Sequence, residues 1–344
     1  MRIAIIGYGG VGRAFMRLIN DQKEILVKEG IELTINYIIG LSGGIYNPDG
    51  IDYLDVIEFS KTERDLSKYP RDGSKDVTFE ALLKRKDVDT VLEMTPTNKT
   101  TGEPGMTHII KSLENGFNVV TSNKGPILLD YKKLKNLAIE NNVQLCIGCT
   151  TGGALPTING GVIDMAGANI NSIEGVLNGT TNFILKDMED NGVTYLEALK
   201  KAQEQGIAET NPTLDVEGWD TASKLLILTN VLMHQDKKLE DIQIEGIASI
   251  TPEDIQDAKR ENKKYKLIGK TEYINGSLEM KVKLEKLDSS HQLYSVDGKN
   301  KAVRYSSDTL GDLTIIGGAS GVIPAAASIL RDIININRGY KFIR

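Results

Sequence analysis

A glycine-rich turn between an apolar strand and a helix is the most constraining feature of this sequence. Ile3 to Ile6 are apolar, and Gly7-Tyr8-Gly9-Gly10-Val11-Gly12 follows with the spacing G-x-G-x-x-G. Gly7 permits a tight turn, Gly9 lets a pyrophosphate approach the backbone, and Gly12 lets the helix pack closely on the strand. Because free N–H groups at a helix N-terminus attract an anion, the motif favours a dinucleotide site over a ligand-free turn. The predicted contacts are Gly7, Gly9, Gly10, Val11 and Gly12.

Strand and helix patterns alternate through the first 150 residues. Apolar strand patterns occur at 2–6, 32–39, 88–94, 117–121 and 143–147, and helical patterns at 11–29, 103–115 and 131–141. Such alternation builds a doubly wound parallel sheet with helices on both faces. In sheets of this kind the ligand lies at the carboxyl ends of the strands. We therefore predict an α/β chain whose residues 1–150 form a Rossmann-type dinucleotide-binding domain.

The pattern changes after residue 150. A strand pattern at 173–177 is followed by helical patterns at 195–205 and 219–233, and Leu278 to Leu284 alternate apolar and polar residues with period two. Period two is typical of a sheet with one covered face. We predict a second, α+β domain over 151–316. The helical pattern at 323–336, within the terminal segment 317–344, is expected to return to the first domain.

The end of the second predicted strand bears on the choice of dinucleotide. A site for NAD usually carries an acidic residue there that binds the ribose hydroxyls. This chain has Ile38-Ile39-Gly40-Leu41-Ser42, with neither a carboxylate nor an arginine. Ser42 is the candidate contact. Because no carboxylate would repel a 2′-phosphate, NADP is the favoured cofactor, with NAD as the alternative.

Charge and hydropathy exclude several classes of protein. The 344 residues include 41 Lys and Arg against 47 Asp and Glu, a net charge of −6, whereas a nucleic-acid protein needs a basic surface. No apolar run approaches the ~20 residues that span a bilayer, and the apolar stretch near Met1 is too short for a signal peptide. Two cysteines exclude a disulfide scaffold. We expect a cytoplasmic protein that binds neither nucleic acid nor membrane.

The two cysteines lie in Cys146-Ile147-Gly148-Cys149, which has the C-x-x-C spacing of redox dithiols and metal sites. A zinc site needs two further ligands, and a thioredoxin-like dithiol opens a helix, whereas this pair ends a predicted strand. We therefore favour two buried thiols, whose redox state the sequence leaves open. The histidines His108, His234 and His291 are too widely spaced to indicate a triad or a metal cluster.

Four further stretches follow the glycine motif along the chain. They are Thr121–Pro126 (TSNKGP), Gly152–Pro156 (GGALP), Gly175–Leu185 (GVLNGTTNFIL) and Gly206–Lys224, which contains GIAETNP and LDVEGWDTASK. In this order they resemble homoserine dehydrogenase over nearly the whole chain, and the last two are long and specific. The resemblance implies interconversion of L-homoserine and L-aspartate 4-semialdehyde with NAD(P), in the threonine and methionine branch of aspartate metabolism.

Asp220 and Lys224 are four residues apart on one predicted helix and can share one face. Reduction of an aldehyde leaves an alkoxide that must be protonated, and a desolvated lysine can act as general acid or base. From spacing alone, a weak surface ion pair is the more frequent arrangement. The resemblance reverses this preference and implies that Lys224 exchanges the proton at the reacting oxygen.

The resemblance assigns further roles residue by residue. Lys124 would be a second essential lysine, at the end of a sheet strand and beside the cofactor. Glu209 and Asp220 would bind the substrate, whose ammonium needs an anionic partner. The other implied contacts are Gly206, Asn178, Thr180 and Thr181 for the substrate, and Thr95 and Gly318 for the cofactor. For the polar residues at 178–181, local hydrogen bonds at the end of a strand are an equally good explanation.

The chain departs from the family pattern at two places. The family binds a monovalent cation with a glutamate about eight residues before the proline that is Pro156 here, and that position is Gly148. We therefore expect at most a weak Na⁺ site. Gly317 to Gly321 keep the family's glycine-rich loop only loosely, and Ala325 replaces its usual threonine. In the weak Na⁺ site, which lacks the glutamate, the ligands would be the main-chain carbonyl oxygens of Thr151, Gly153 and Leu155.

The resemblance also implies an oligomeric state, and two alternative functions remain to be considered. The family's regulated long forms add a C-terminal sensing domain, and this chain resembles the short form without it. The family is commonly a homodimer joined through the sheet of the second domain.

The first alternative function is that of another dehydrogenase of this architecture, which would keep the glycine motif but lose Glu209, Asp220 and Lys224. A non-catalytic dinucleotide sensor would tolerate the loss of Lys224.

Overall fold

The chain forms two compact units in a computed structural model that describes residues 1–343. The first unit contains residues 1–154 together with the C-terminal segment from Ser320, and the second contains Leu155–Ala319. The glycine motif therefore lies in the first unit, and Lys224 lies in the second.

The first unit is built around a seven-stranded sheet. Its strands are β1 (Arg2–Ile6), β2 (Thr34–Ile39), β3 (Gly44–Tyr46), β4 (Gly73–Ser74), β5 (Thr90–Glu93), β6 (Asn118–Thr121) and β7 (Leu145–Cys146), in the order β4-β3-β2-β1-β5-β6-β7. The strands β2, β1, β5, β6 and β7 are parallel, whereas β3 and β4 pair antiparallel beyond β2. The Rossmann-type prediction is confirmed. The sheet is nevertheless mixed, because the irregular stretch after Ile39 contains two short strands that the sequence patterns did not reveal.

Helices connect these strands. They are α1 (Gly10–Asp21), α2 (Lys23–Lys28), α3 (Tyr53–Phe59), α4 (Phe79–Arg85), α5 (Gly105–Glu114), α6 (Lys124–Glu140) and α7 (Cys149–Gly152). The helix predicted at 11–29 is divided at Gln22. α6 begins at Lys124, but the backbone of Asp130 is not helical (φ −156°, ψ 59°), so that a second part starts at residue 131 as predicted. The first part was not predicted. Asn123 caps it by accepting a hydrogen bond from the Gly125 N–H (3.1 Å), and Pro126 is tolerated in a first helical turn.

β1 is buried on both faces of this sheet. Ile3 and Ile5 join one core cluster with Phe15 of α1, whereas Ala4 and Ile6 join another cluster that includes residues of α4. Successive side chains of a strand point to opposite faces, so both faces are covered. Such a strand has a continuous apolar sequence, which is why β1 could be predicted.

The second unit is built around a six-stranded sheet. Its strands are β8 (Ile170–Val176), β9 (Gln243–Ile244), β10 (Lys263–Ile274), β11 (Ser277–Asp288), β12 (Lys301–Ser307) and β13 (Asp312–Gly317), in the order β13-β12-β8-β10-β11-β9. Neighbouring strands are antiparallel except β11 and β9. β10 and β11 form a long hairpin through Asn275 and Gly276, whose φ angles of 50° and 82° suit a tight two-residue turn.

Helices cover one face of this sheet. The unit contains α8 (Thr157–Asn159), α9 (Gly179–Asn191), α10 (Tyr195–Glu204), α11 (Thr213–Val216), α12 (Trp219–Leu232) and α13 (Pro252–Arg260). A buried hydrogen bond of 2.8 Å between Thr229 Oγ1 of α12 and Thr271 Oγ1 of β10 marks the covered face. The sequence patterns did not predict α9. It begins after Asn178, which caps it by accepting a hydrogen bond from the Thr181 N–H (2.9 Å).

The C-terminal helix α14 (Val322–Asn337) belongs to the first unit. Its residues Ala326, Ile329 and Ile333 join the core cluster on the α1 side of the sheet. Further along, the Phe342 N–H donates to Gln144 Oε1 (2.8 Å). Within residues 1–343, no helix has the length and apolarity needed to cross a membrane.

Candidate active site

The glycine motif forms the turn between β1 and α1, and Gly10 is the first residue of the helix. Gly7 has a φ of +96°, and a Cβ built there would lie 2.7 Å from the Met94 carbonyl oxygen. A Cβ on Gly12 would lie 2.7 Å from the Gly7 carbonyl oxygen, whereas a Cβ on Gly9 would meet no atom within 4 Å. Among the described residues no side chain caps α1, so its first N–H groups are available to an anion. The open space over Gly9 and these N–H groups fit a pyrophosphate.

A tight turn follows β2, closed by a hydrogen bond from the Gly40 N–H to the Gly43 carbonyl oxygen (2.9 Å). Ser42 is exposed on this turn, which carries no carboxylate. A Cβ on Gly43 would lie 2.7 Å from Lys75 Cα, so the exposed Lys75 follows β4 directly against the turn. Sequence reasoning missed Lys75, because the short antiparallel strands that bring it here were not predicted.

Thr95 and Lys124 lie at the carboxyl edge of the parallel sheet. Thr95 comes just after β5, is half-buried and donates its N–H to Glu93 Oε1 (3.1 Å). Lys124 opens α6 after β6. β5 pairs with both β1 and β6, which puts the ends of these three strands side by side. The first unit therefore gathers the glycine motif, Thr95 and Lys124 along the edge where α/β sheets bind ligands.

In the second unit, Lys224 lies one turn after Asp220 on α12. Lys224 Nζ is 2.6 Å from Asp220 Oδ2, and the two side chains are 14% and 13% exposed. Nζ also donates to the Leu177 carbonyl oxygen at 2.7 Å, just beyond β8. The pair is mostly buried and is not the surface ion pair that spacing alone favoured. A largely buried lysine with a carboxylate partner is a candidate proton-transfer group.

Asn178 connects three helices around this pair. Its Oδ1 caps α9, and its Nδ2 donates to Asp220 Oδ2 (2.9 Å) and to Asp215 Oδ1 of α11 (2.7 Å). With Lys224, these two carboxylates give the cluster one formal negative charge in excess. Sequence reasoning missed Asp215, because nothing in the spacing shows that α11 packs beside the start of α9.

Thr180 and Thr181 lie in the first turn of α9. Thr180 Oγ1 donates to the Ile207 carbonyl oxygen (3.1 Å), and Thr181 Oγ1 donates to the Asn178 carbonyl oxygen (3.2 Å). Gly206 follows α10 with a φ of +65°, and a Cβ there would meet no atom within 4 Å. The Thr180 hydrogen bond thus holds the turn at Gly206 beside α9. Both hydroxyl protons are used within the protein.

Glu209 lies on the exposed segment between α10 and α11. Its carbonyl oxygen accepts a hydrogen bond from Gln203 Nε2 (3.1 Å). Within residues 1–343, its carboxylate makes neither a hydrogen bond nor an ion pair. The structure therefore does not bring Glu209 into the cluster around Lys224, and it leaves this carboxylate open to a cation from solution.

The residues considered for Na⁺ lie at α7 and beyond. The Gly148 N–H, where the family has a glutamate, donates to Asp332 Oδ2 of α14 (3.0 Å). The Leu155 carbonyl oxygen accepts a hydrogen bond from the Thr157 N–H (2.8 Å). Across the described chain, no three His, Cys, Asp or Glu side chains are grouped so as to hold a metal ion. Weak Na⁺ binding by carbonyls at 151, 153 and 155 stays a prediction.

Gly318 follows β13 in the second unit. Its φ is +78°, and a Cβ there would lie 2.5 Å from Leu155 Cβ. Glycine is therefore required at this position for packing alone. Its contact with a cofactor stays a prediction.

The cysteines occupy a different local structure from the one expected. Cys146 ends β7, but Cys149 begins α7, so the C-x-x-C segment does open a short helix. Both thiols are buried, as expected, and neither forms a disulfide bond. Burial raises the pKa of Cys146 well above its ordinary value, and the Asp332 carboxylate acts in the same direction. A thiol that stays protonated is a poor nucleophile, so this one is unreactive.

Comparison with known proteins shows to which family the chain belongs. A family model described as homoserine dehydrogenase matches residues 156–334. A homoserine dehydrogenase from Methanocaldococcus jannaschii is 38% identical over 341 residues, covering 99% of this chain and 100% of that protein. The chain belongs to the homoserine dehydrogenase family.

Two further homoserine dehydrogenases bear on the cofactor. An NAD(+)-dependent homoserine dehydrogenase from Pseudomonas canavaninivorans is 36% identical, covering 98% of this chain and 96% of that protein. The structure of a hyperthermophilic archaeal homoserine dehydrogenase mutant in complex with NADPH has a TM-score of 0.83 and 27% identity, covering 100% of this chain and 99% of that chain. These relatives confirm a nicotinamide dinucleotide as the cofactor class and leave the choice between NADP and NAD open.

Homoserine dehydrogenases are NAD(P)-dependent oxidoreductases that act on a CH–OH group. They interconvert L-homoserine and L-aspartate 4-semialdehyde in threonine and methionine biosynthesis. The family, the enzyme class and the reaction implied by the four sequence stretches are therefore confirmed.

Proposed function

We propose that Lys224 exchanges the proton with the reacting oxygen when L-homoserine and L-aspartate 4-semialdehyde interconvert. The position of Nζ carries this proposal, because Asp220 Oδ2 at 2.6 Å and the Leu177 carbonyl oxygen at 2.7 Å hold it in a mostly buried place. A lysine ammonium has three N–H donors. Two of them are used within the protein, and the third remains for the substrate oxygen.

The same lysine serves both directions of the reaction. A bound nicotinamide dinucleotide supplies the hydride exchange with the substrate carbon. During reduction, the Lys224 ammonium donates a proton to the aldehyde oxygen, so that an alcohol forms in place of an alkoxide. During oxidation, the neutral amine accepts the hydroxyl proton of L-homoserine. Asp220 balances the charge of the ammonium and fixes its direction from one turn earlier on α12.

Recognition of the amino-acid group is assigned to carboxylates of the second unit. The exposed Glu209 carboxylate and the net negative cluster of Asp215, Asp220 and Lys224 both attract an α-ammonium. The start of α9 shapes the pocket, because Asn178 fixes both aspartates. Thr180 and Thr181 hold this turn and the neighbouring Gly206, so their role is to support the pocket.

The dinucleotide is assigned to the carboxyl edge of the first unit's sheet. The glycine motif and the N-terminus of α1 would hold the pyrophosphate. Thr95 and Lys124 would contact the cofactor further along this edge, and Gly318 is a further assigned contact. The turn after β2 lacks a carboxylate and contains Ser42, and the cation of Lys75 lies against it; this combination suits a 2′-phosphate. NADP is therefore proposed as the preferred cofactor, with NAD as a weaker one.

We also propose a homodimer joined through the face of the second sheet that lies opposite α12. Thr271 faces α12, so the adjacent Lys270 and Glu272 point to the opposite face. The strand register puts Glu174 of β8 and Arg304 of β12 on the same face, where Glu174 is buried and pairs with Arg304 at 3.4 Å. Lys270 and Glu272 are each 31% exposed and pair with each other at 2.7 Å. Light scattering should give twice the chain mass of 37.7 kDa, and a monomer mass would contradict the proposal.

A cytoplasmic location is the last part of the proposal. Cys146 and Cys149 are both buried, and neither forms a disulfide bond. Cysteines outside disulfide bonds are typical of reducing compartments.

The test of the reaction and of the cofactor is oxidation of L-homoserine at alkaline pH, followed by the absorbance of reduced nicotinamide. NADP and NAD are supplied in turn, and L-serine, one carbon shorter, is the matched control substrate. We expect homoserine-dependent reduction with a lower KM for NADP and little reaction with L-serine. Reaction with L-serine alone would contradict the substrate assignment. A lower KM for NAD would contradict the cofactor preference.

A further inference from the structure

A wholly buried carboxylate lies at the carboxyl edge of the first unit's sheet, and none of the roles above uses it. Glu93 is the last residue of β5 and is 0% exposed. A buried carboxylate costs much free energy unless hydrogen bonds satisfy it. The groups that donate to Glu93 therefore indicate what this side chain does.

Two threonines at the ends of neighbouring strands donate to Glu93. Its Oε1 accepts hydrogen bonds from both the N–H (3.1 Å) and the hydroxyl of Thr95. The Thr121 hydroxyl, at the end of β6, lies 3.2 Å from Oε2 and 3.0 Å from the Glu93 carbonyl oxygen. Glu93 thus joins the ends of β5 and β6 where the cofactor is assigned.

Asn123 extends this network to the start of α6. Its N–H donates to the Thr121 hydroxyl (2.9 Å), and its Nδ2 donates to the Thr95 hydroxyl oxygen (3.4 Å). Its Oδ1 accepts the Gly125 N–H (3.1 Å) and so caps α6 directly before Lys124. One carboxylate therefore fixes both Thr95 and the helical turn that carries Lys124.

Helix α5 packs directly against Glu93 and Asn123. His108 Nδ1 is 3.6 Å from Glu93 Oε1 and is buried without a hydrogen-bond partner in the described chain. A Cβ on Gly105 would lie 3.2 Å from Glu93 Oε2 and 2.5 Å from Asn123 Nδ2. Because residue 105 is glycine, α5 can pack this closely on the carboxylate and hold it in place.

We infer that Glu93 is a positioning residue for the bound dinucleotide and acts on it through Thr95 and Asn123. Both donors of Thr95 are used by Glu93, and one lone pair of the Thr95 hydroxyl oxygen accepts from Asn123 Nδ2. The second lone pair is left as an acceptor for an N–H or O–H group of the cofactor. The inference rests on the proposed cofactor contacts of Thr95 and Lys124 and deepens them.

The first test is Glu93→Gln, which keeps the shape and replaces an acceptor oxygen by an N–H₂ group that faces donors. We expect the Kd of NADPH, measured by fluorescence titration, to rise about tenfold, as for the loss of one hydrogen bond to a charged group. The KM of L-homoserine at saturating cofactor should change less than about twofold. A wild-type Kd in a folded Glu93→Gln variant would overturn the inference.

Glu197 supplies the matched control. Its Oε2 also accepts the N–H and the hydroxyl of one threonine, Thr194, each at 2.8 Å, but on the exposed N-terminal turn of α10. Glu197→Gln removes the same local chemistry in the second unit, whereas the network around Glu93 belongs to the first. We expect its NADPH Kd to equal that of the wild type. A rise equal to that of Glu93→Gln would show that loss of such a cap weakens binding wherever it occurs, and would overturn the inference.

A double-mutant cycle separates positioning from a general structural role. Thr95→Val alone should raise the NADPH Kd about tenfold, and adding Glu93→Gln should raise it further by clearly less than the tenfold that this substitution causes alone, because the two share the Thr95 contact. Effects that multiply would overturn the inference. If Glu93→Gln does not fold, Thr95→Ser against Thr95→Val decides: serine should keep the wild-type Kd and valine should lose affinity, and equal affinities would overturn the inference.

NADPH binding is measured without substrate, so the substrate assignment cannot be confused with this inference. A wild-type protein that binds NADPH but does not oxidise L-homoserine would contradict the proposed reaction. The effect of Glu93→Gln on the NADPH Kd would still decide the role of Glu93.

Discussion

Replacing Asp220 by Asn tests the proton-transfer site with little change of shape. Asp220 Oδ2 accepts hydrogen bonds from Lys224 Nζ (2.6 Å) and from Asn178 Nδ2 (2.9 Å). In Asp220→Asn, the amide oxygen can still accept a hydrogen bond, but the negative charge beside the Lys224 ammonium is lost. The hydrogen bond from Nζ to residue 220 is then no longer between two charged groups and is weaker, so the direction of Nζ toward the substrate oxygen is less well defined.

The size of the effect follows from the burial of this pair. A hydrogen bond to a charged group contributes about 1.5 to 3 kcal/mol. The aspartate is only 13% exposed, so solvent screens the interaction little. Because each 1.4 kcal/mol changes a rate about tenfold, we expect kcat for L-homoserine oxidation to fall about 10- to 100-fold. The NADPH Kd should stay at the wild-type value, because the glycine motif is unchanged.

The assay is steady-state oxidation of L-homoserine at saturating NADP, with the NADPH Kd measured separately. The matched control is Asp190→Asn, which removes the carboxylate of an i,i+4 lysine pair with Lys186 on α9. Asp190 is 52% exposed, so its loss should change kcat less than about twofold. A kcat of Asp220→Asn within about twofold of the wild type would refute the reasoning. Equal losses in both variants would refute it as well.

Two further predictions concern the cofactor and acid stability. Lys75→Ala should raise the KM of NADP about tenfold and leave that of NAD unchanged, with the exposed Lys28→Ala as control; equal effects on both cofactors would contradict a 2′-phosphate contact. Burial acts to raise the pKa of Asp297, but hydrogen bonds from Lys264 (2.8 Å) and Lys266 (2.9 Å) outweigh it and hold the pKa below its ordinary value. The stabilisation is therefore present at neutral pH and is lost as the pH falls through the lowered pKa of the folded state. Asp297→Asn should lower the urea midpoint at neutral pH and not in strong acid, and a pH-independent difference would contradict this sign.

Local patterns predicted the parts of the site that depend on neighbours in sequence. The glycine motif needs only a strand, a turn and a helix in succession, and β1 is apolar because it is buried on both faces. Asp220 and Lys224 share a helix face because they are four residues apart. These features could be read from the chain because a few consecutive residues determine them.

The features that the sequence patterns missed depend on contacts between distant segments. Asp215 reaches Asn178 only because α11 packs beside the start of α9. Lys75 reaches the turn after β2 only because two very short strands pair at the sheet edge. Glu93 lies in a strand pattern that predicts burial but not its hydrogen-bond partners, which come from residues 95 and 121. The whole of α9 was missed, and its first turn is polar and is defined by the Asn178 cap.

The most direct test of the central claim is the kcat of Lys224→Ala for L-homoserine oxidation, measured together with its NADPH Kd. We expect a loss of several orders of magnitude in kcat with a wild-type NADPH Kd, because Lys224 acts on the substrate oxygen. Lys186→Ala, which removes the lysine that pairs with the exposed Asp190 on α9, should keep the wild-type rate. A Lys224→Ala variant that folds, binds NADPH and turns over at the wild-type rate would contradict the account.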